Sequence, residues 1–517
     1  MARFKETNKR QGQFIPVIFE EQILPGTIEH AICDIIDNHI DTSGFNIKYN
    51  NDITGAPAYP PKILLKIILV CYAKGILHSR PMEHAVATNI QLMAIAEGLS
   101  PDHSTLAAFV SSNVEQINKI FVDVLIRCAQ LNLIGGEIFA LDGCKISSNA
   151  AKEYSGTFSE LKKKKEKLEK MLKHLIDQHI SSDTTQQDVE SRKKKYEEKI
   201  KKIDAFLNSH EPKQGSRGRE LKSNITDNES AKMQSSRGVI QGYNGVAVVD
   251  AKSQIVVAAE AFGQGQEGGL LKGMVEQAEM NLKEASKKEN MAGSVVIADT
   301  NYFSEDNIAY CEDKKIDAYI PDQYFRKRDP RFQKDYPRRK DARKNLYSQK
   351  DFIFNEESNC FICPSGKQLM YDGEKTIRGY KGRRYIAKEN ECHFCHLQSL
   401  CLKKNAKKRH LFIVSVPKPK TYSQKMIDKI DTPQGREMYS RRMGIVEPVF
   451  ANITVHKGLQ RFTLRTKKKV NVQWLLYCIV HNIGKIARFL LSFIKNMIFK
   501  PVVSHSFVYT DKKSYGT

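Results

Sequence analysis

Two short apolar runs, each closed by an aspartate, set the narrowest limits on how this chain folds: IFALD at 138–142 and VVIAD at 295–299. Apolar runs of this length between polar turns predict strands buried on both faces, which requires a sheet covered by other layers. An acid closing such a strand faces the open edge of the sheet, where α/β proteins keep their ligand sites. At Asp142 the following Gly143 allows a second reading, an ordinary Asp-Gly turn with no chemical role.

YNGVAVVDA (243–251) and QIVVAAEAF (254–262) lie between the two runs and predict a hairpin closed at Lys252-Ser253. GQGQEG follows, with Gly263, Gly265 and Gly268 in the G-x-G-x-x-G form. A dinucleotide site needs a parallel strand–helix–strand unit with an acid about twenty residues on. Here the preceding strand belongs to a hairpin and Asp299 stands 31 residues beyond Gly268, which argues against a nucleotide. With the helix GLLKGMVEQAEMNLKEASK before VVIAD, the order strand, hairpin, helix, strand predicts an α/β (mixed α+β) core carrying Asp142 and Asp299.

A third acid lies in YSRRMGIVEPVFANI (439–453), where Tyr439, Arg442 and Glu447 are spaced by three and five residues and are expected on one face of a short helix. A carboxylate held there can bind a divalent cation while the guanidinium and phenol meet phosphate oxygens. A solvated helix with one ion pair would show the same residues. Three carboxylates on two strands and a helix can hold two Mg²⁺ (or Mn²⁺) ions about 4 Å apart and activate water or a 3′-hydroxyl for attack on phosphorus.

Lys and Arg exceed Asp and Glu by 82 to 59 in 517 residues, a net +23 that suits a polyanion, with double-stranded DNA the default partner. The opening MARFKETNKRQGQF has no apolar segment, so no signal peptide is expected. The apolar runs 63–72 and 475–499 are too short or are broken by His481, Lys485 and Arg488, so no membrane span is expected and the location is read as cytoplasmic, with nucleoid DNA. The pattern divides the chain into a helical DNA-binding region (1–135), a core in two pieces (136–158 and 209–325), a Lys/Glu-rich helical hairpin between them (159–208), a basic and Cys-rich insertion (326–420), the rest of the core (421–500) and a tail (501–517). With the basic tract 326–345, Phe332, Tyr336 and Tyr347 are placed to stack on splayed bases, the alternative being a solvated loop. Arg461, Arg465 and Lys467 to Lys469 are expected to face DNA.

Five of the eleven cysteines cluster in CFICPSGK and ECHFCHLQSLC. Cys360, Cys363, Cys392 and Cys395 form two C-x-x-C pairs with 28 residues between them, the spacing of a zinc ribbon in which thiolates on tight turns give tetrahedral S₄ ligation. Cys401, His393 and His396 are spare donors. Such a zinc ion would fold the insertion without taking part in the chemistry. The alternative is a set of reduced thiols filling a core.

Taken in order, GAPAYPPKILLKIILVCYAKGILHSRPME, PDHSTLAAF, ALDGCKISSNA, NITDNESAKM, QGYNGVAVVD, ADTNYFSE, YSRRMGIVEPVFANI and LQRFTLRTKKKVNVQWLLYCIVHNI resemble the insertion-sequence transposases of the DDE class, in the branch with a Tyr-Arg-Glu signature. The resemblance implies a ribonuclease H-like core with Asp142, Asp299 and Glu447 as the catalytic triad and Tyr439 and Arg442 as DNA-positioning residues. It implies binding to the terminal inverted repeats of an element, metal-dependent cleavage at the 3′ ends and strand transfer, by a homo-oligomer, expected to be a dimer because two ends are processed together. Relatives carry a Lys seven residues after the Glu. Here that position is Thr454, and Lys457 is the candidate replacement. Two alternatives follow: a nuclease of the same fold without strand transfer, and an inactive DNA-binding relative.

Overall fold

The computed structural model describes residues 16–49, 51, 56–179, 186–215, 218–235, 238–286, 288–332, 346–377, 380–403, 405–415 and 420–498. Most of the basic tract, Tyr336 included, and the 501–517 tail lie outside the described residues. The chain divides into two compact units, Met1–Ile320 with Glu437–Thr517, and Pro321–Arg436.

The first unit is mixed α/β, and a six-stranded sheet is its centre. Strand β1 (Ile138–Ser147) is followed by β2 (Ala231–Ser235), β3 (Gly238–Asp250) and β4 (Ile255–Phe262). After helix α1 (Leu271–Ser286) come β5 (Val295–Ala298), helix α2 (Glu305–Asp313) and β6 (Asp317–Tyr319). The long strand β3 pairs antiparallel with β1 along one edge, while β2 and β4 share its other edge, β2 against Gly238 to Gly242 and β4 against Asn244 to Asp250. On the far side of β1, β5 and β6 add in parallel. The central strands are closed to water on both faces: residues 246–249 and 255–259 are all fully buried.

An acid also closes VAVVD, but Asp250 has a structural role. Antiparallel pairing sets it opposite Phe139, at the start of β1 and therefore at the other end of the sheet from Asp142. Its carboxylate accepts the N–H groups of Gly135, Gly136 and Lys252.

Helix α4 (Lys467–Ile498) lies on this sheet. It is apolar and long enough to pass the compositional test for a membrane helix, but Trp474 to Val480 and Ile483 are buried against the rest of the unit. The contact uses polar groups as well as area. Trp474 donates from Nε1 to the Val246 carbonyl at 3.1 Å, over Gly245, where a Cβ would stand 3.1 Å from the indole. Asn482 accepts the Val256 N–H and donates to the Val256 carbonyl, both at 2.9 Å, and Asn471 accepts the Ala261 N–H. These amides take the part of a neighbouring strand along the outer edge of β4, whose backbone groups would otherwise be buried unpaired. His481 donates from Nε2 to the Gln254 carbonyl at 2.9 Å and meets the Asn452 side-chain amide through Nδ1 at 3.2 Å, and burial pushes its pKa down to about 3, so it is a neutral core residue.

The helices from Ile28 to Gln130 belong to the same unit. Pro61–Ala73 is buried at every residue from Ile63 to Tyr72, because it packs on several neighbours at once, and Tyr72 meets Tyr477 of α4 with ring centroids 4.9 Å apart. Its one interior charge, Lys66, is paired with Asp37 at 3.2 Å and Glu97 at 3.3 Å. Asp102 caps His103–Ser112 through the Thr105 N–H. The Lys/Glu-rich insertion forms two helices, Phe158–His179 and Gln186–Ser209, held together by a small cluster of Leu161, Ile203 and Phe206.

The second unit is an antiparallel meander of Ile353–Asn355, Cys360–Ile362, Gln368–Ile377, Tyr380–Ala387 and His410–Val414 around Phe352, Phe361, Leu369, Tyr385 and Leu411.

Replacing Asn482 by alanine strands both backbone groups of Val256 and should cost about 2–4 kcal/mol. Urea unfolding followed by the fluorescence of Trp474 measures this. A loss below half a kilocalorie would mean that the amide does not hold the edge strand.

Candidate active site

Two of the expected acids come together through strand register. β1 and β5 run parallel with Leu141 beside Ala298, and β5 ends there, so Asp142, still within β1, and Asp299, the first residue past β5, take the next positions. β1 does not end at Asp142. Pairing with β3 carries it through Gly143 to Ser147, where the sequence had suggested a polar turn.

Helix α3 (Pro433–Ala451) supplies the cation. Arg442 ion-pairs with Asp142 through Nη1 and stands 3.7 Å from Asp299 Oδ1 through Nη2. Tyr439, one turn back, donates its hydroxyl to Asp299 Oδ1 at 3.5 Å and lies with its ring 5.9 Å from the guanidinium. Asp142 also accepts the Gly143 N–H at 2.8 Å. The Arg442 side chain is 12% exposed and that of Asp142 16%. Burial raises the Asp142 pKa to about 6; Arg442 and the Gly143 N–H oppose the rise, and the Asp299 and Glu267 carboxylates add to it.

Glu447 is not brought to the pair. Three residues separate Tyr439 and Arg442 by roughly 60° around a helix, but five residues put Glu447 roughly 140° from Arg442, so the three do not share one face. Glu447 is exposed, on the flank of α3, and neither a hydrogen bond nor an ion pair joins it to the aspartates. Among the described residues no three His, Cys, Asp or Glu side chains form a group able to hold a metal ion.

The downstream basic residues are also spread. α3 runs into a π-helical turn, Asn452–His456, in which the Thr454 hydroxyl bonds back to the Phe450 carbonyl at 2.7 Å. Lys457 is half-buried, and desolvation with the nearby Arg488 charge lowers its pKa. Arg461 and Arg465 donate through Nε to the carbonyls of Ser148 and Asn149, just past β1. Both line an open cleft of about 650 Å³ with Lys202 and His210 of the helical insertion.

A fourth acid escaped sequence reasoning. Glu267, in the glycine-rich GQGQEG, is 4% exposed, and its two oxygens accept the side-chain amides of Asn244 and Asn301 at 2.9 Å. Next to it the buried Tyr302 hydroxyl has no partner among the described residues, and burial and the Glu267 charge raise its pKa. A lone acid in a glycine-rich stretch gives no local signal. Only Asn244, a polar residue beside the apolar run 246–249, hinted at a buried polar partner.

The raised Asp142 pKa sets a pH dependence. Between about pH 4 and 6 the native carboxyl keeps a proton that the unfolded chain loses, so its contribution to stability falls as pH rises through that window, by about 3 kcal/mol in all. In chelator, Asp142→Asn should therefore gain stability relative to the parent between pH 4.5 and 7.5. An equal urea midpoint difference at both pH values would refute it.

A family model for the transposase DDE domain matches residues 362–487, which include α3 and most of α4. A model for a transposase domain (DUF772) matches residues 18–112, in the N-terminal helices. No curated protein matches the chain. Two transposase models, one on the N-terminal helices and one across α3 and most of α4, indicate an insertion-sequence DDE transposase.

Proposed function

We propose that this transposase binds the terminal inverted repeats of its element, cuts at the 3′ ends and joins them to target DNA, using Mg²⁺ or Mn²⁺. The observation that carries the reading is Arg442, one cationic group shared by Asp142 and Asp299 across adjacent strands. Two carboxylates on neighbouring strands fit a hard divalent ion by donor chemistry, and the guanidinium occupies the place of that charge. Glu447, exposed on the same helix as Arg442, is the proposed third oxygen donor. Bound there, a divalent ion supplies Lewis acidity toward phosphate oxygen and makes the attacking hydroxyl more acidic. Two such ions are the proposed complement.

The chain's own groups have distinct tasks. Asp142 and Asp299 hold positive charge at the sheet edge. Arg442, released from the carboxylates, is free to pair with a phosphate through its two-pronged guanidinium, and Tyr439 orients the same phosphate by its hydroxyl. Arg461 and Arg465, anchored by Nε, present their remaining N–H groups to a cleft lined by Lys202 and are proposed to follow the DNA backbone, with Lys457 a further positioning residue. The sequence β4-β3-β1 antiparallel, then β5-β6 parallel, supports a ribonuclease H-like core. The N-terminal helices are the proposed end-binding region. Because two element ends must be handled together, the working form is proposed to be a homodimer on cytoplasmic, nucleoid DNA.

A second reading rests on Thr454. Its hydroxyl is committed to Phe450, and it offers no cation where relatives have lysine, which favours a DNA-binding relative without cleavage. A labelled element-end duplex separates the readings. The full chain with Mg²⁺ or Mn²⁺ should nick the 3′ ends, and Asp299→Ala, Glu447→Gln and Arg442→Ala should each reduce the rate by on the order of 100-fold or more. Joined products establish transposition, and nicks alone establish a nuclease. Tight binding with no cleavage in either metal would leave only the inactive reading.

A further inference from the structure

The cysteine cluster of the second unit takes a different form from the two C-x-x-C pairs read in the sequence. Cys363, Cys392, Cys395 and Cys401 line one small cavity of about 30 Å³, room for a single ion or water. Cys360 does not line it. It is fully buried in its strand, paired with Asn355 and Met370, and its sulfur hydrogen-bonds to the Ser358 hydroxyl at 3.1 Å.

We propose that the second unit holds a structural zinc ion on Cys363, Cys392, Cys395 and Cys401, with Cys360 a core residue. Three features support this ligand set. The turn Cys363-Pro364-Ser365-Gly366-Lys367 is closed by Cys363 N–H to Lys367 O and Gly366 N–H to Cys363 O, both at 2.8 Å, with Gly366 at φ +77°. Within it the Lys367 N–H donates to Cys363 Sγ at 3.3 Å, which fixes the sulfur at the mouth of the turn. On the opposite wall, Cys392 and Cys395 lie at the end of the short helix Glu389–His393, and Cys401 ends Gln398–Cys401.

The charge also fits. Zn²⁺ with four thiolates is a dianion, and the cavity is bordered by two cations, Lys367 and Arg409, against one carboxylate, Glu391. Arg409 is fixed there by its donations to the carbonyls of Cys401 and Tyr347 at 3.0 and 2.7 Å. The cysteines are free thiols, and among the described residues no three donors stand as a finished metal group. Neutral thiols do not attract one another. Ligation needs deprotonation and a χ1 change at a side chain with one heavy-atom torsion, while the backbone turns stay in place.

This inference does not depend on the proposed DNA chemistry, and its readout is metal content. The full chain, purified under reducing conditions and reconstituted with zinc sulfate, should retain one zinc per chain after gel filtration, measured by elemental analysis. Cys360→Ser should keep it, while Cys401→Ser should lose at least 90% of it. Because Cys401→Ser could also unfold the unit, a Cys401→His variant loaded with Co²⁺ provides the second measurement. Sulfur-to-cobalt charge-transfer absorption should weaken and shift as S₄ becomes S₃N. Zinc lost from Cys360→Ser but kept by Cys401→Ser, no zinc in the reconstituted parent, or a cobalt spectrum unmoved by Cys401→His would each overturn the assignment.

Discussion

Like charges on neighbouring strands repel, and this chain places two of them side by side by register. Leu141 beside Ala298 sets the backbone of Asp142 beside that of Asp299, so the parallel pairing itself brings the two carboxylates into one region. In a half-buried setting such a pair needs either a proton or a cation. The fold gives Asp142 part of each, a raised pKa and the guanidinium of Arg442. The position of α3 is therefore tied to the sheet electrostatically, and Arg442 is the residue through which binding of phosphate or metal would be felt along the helix.

The rest of the first unit keeps that sheet edge in place. Parallel strands need cover on both faces. Here α4 gives it with a buried apolar face and with amides aimed at the β4 backbone. An apolar face alone could slide along the sheet. Asn471 and Asn482, eleven residues apart, hold one register because each must meet a particular backbone group.

How much of this was legible follows from what each signal depends on. IFALD and VVIAD announced their strands because a strand buried on both faces has to be apolar throughout. VAVVD carries the same local pattern, yet Asp250 lies at the other end of the sheet, since only the direction of pairing decides which end an acid occupies. Tyr439 and Arg442 could be paired by helical spacing, while Glu447 fails the same test when the five-residue step is converted to an angle. Glu267 was invisible because its environment is made by Asn244 and Asn301, distant in sequence. The cysteine spacing could not separate Cys363, Cys392, Cys395 and Cys401, whose side chains line one cavity, from Cys360, which is buried in a paired strand of the meander.

The single tryptophan of this chain has a further consequence. Trp474 sits dry between α4 and the β3 backbone, in the first unit, and nothing in the second unit carries an indole. Its emission therefore reports on the sheet–helix contact alone. The second unit carries tyrosines, among them Tyr324, Tyr347, Tyr371, Tyr380, Tyr385 and Tyr422, as the first unit does, so only the indole separates the two. A change in that emission can thus be assigned to the first unit without labels.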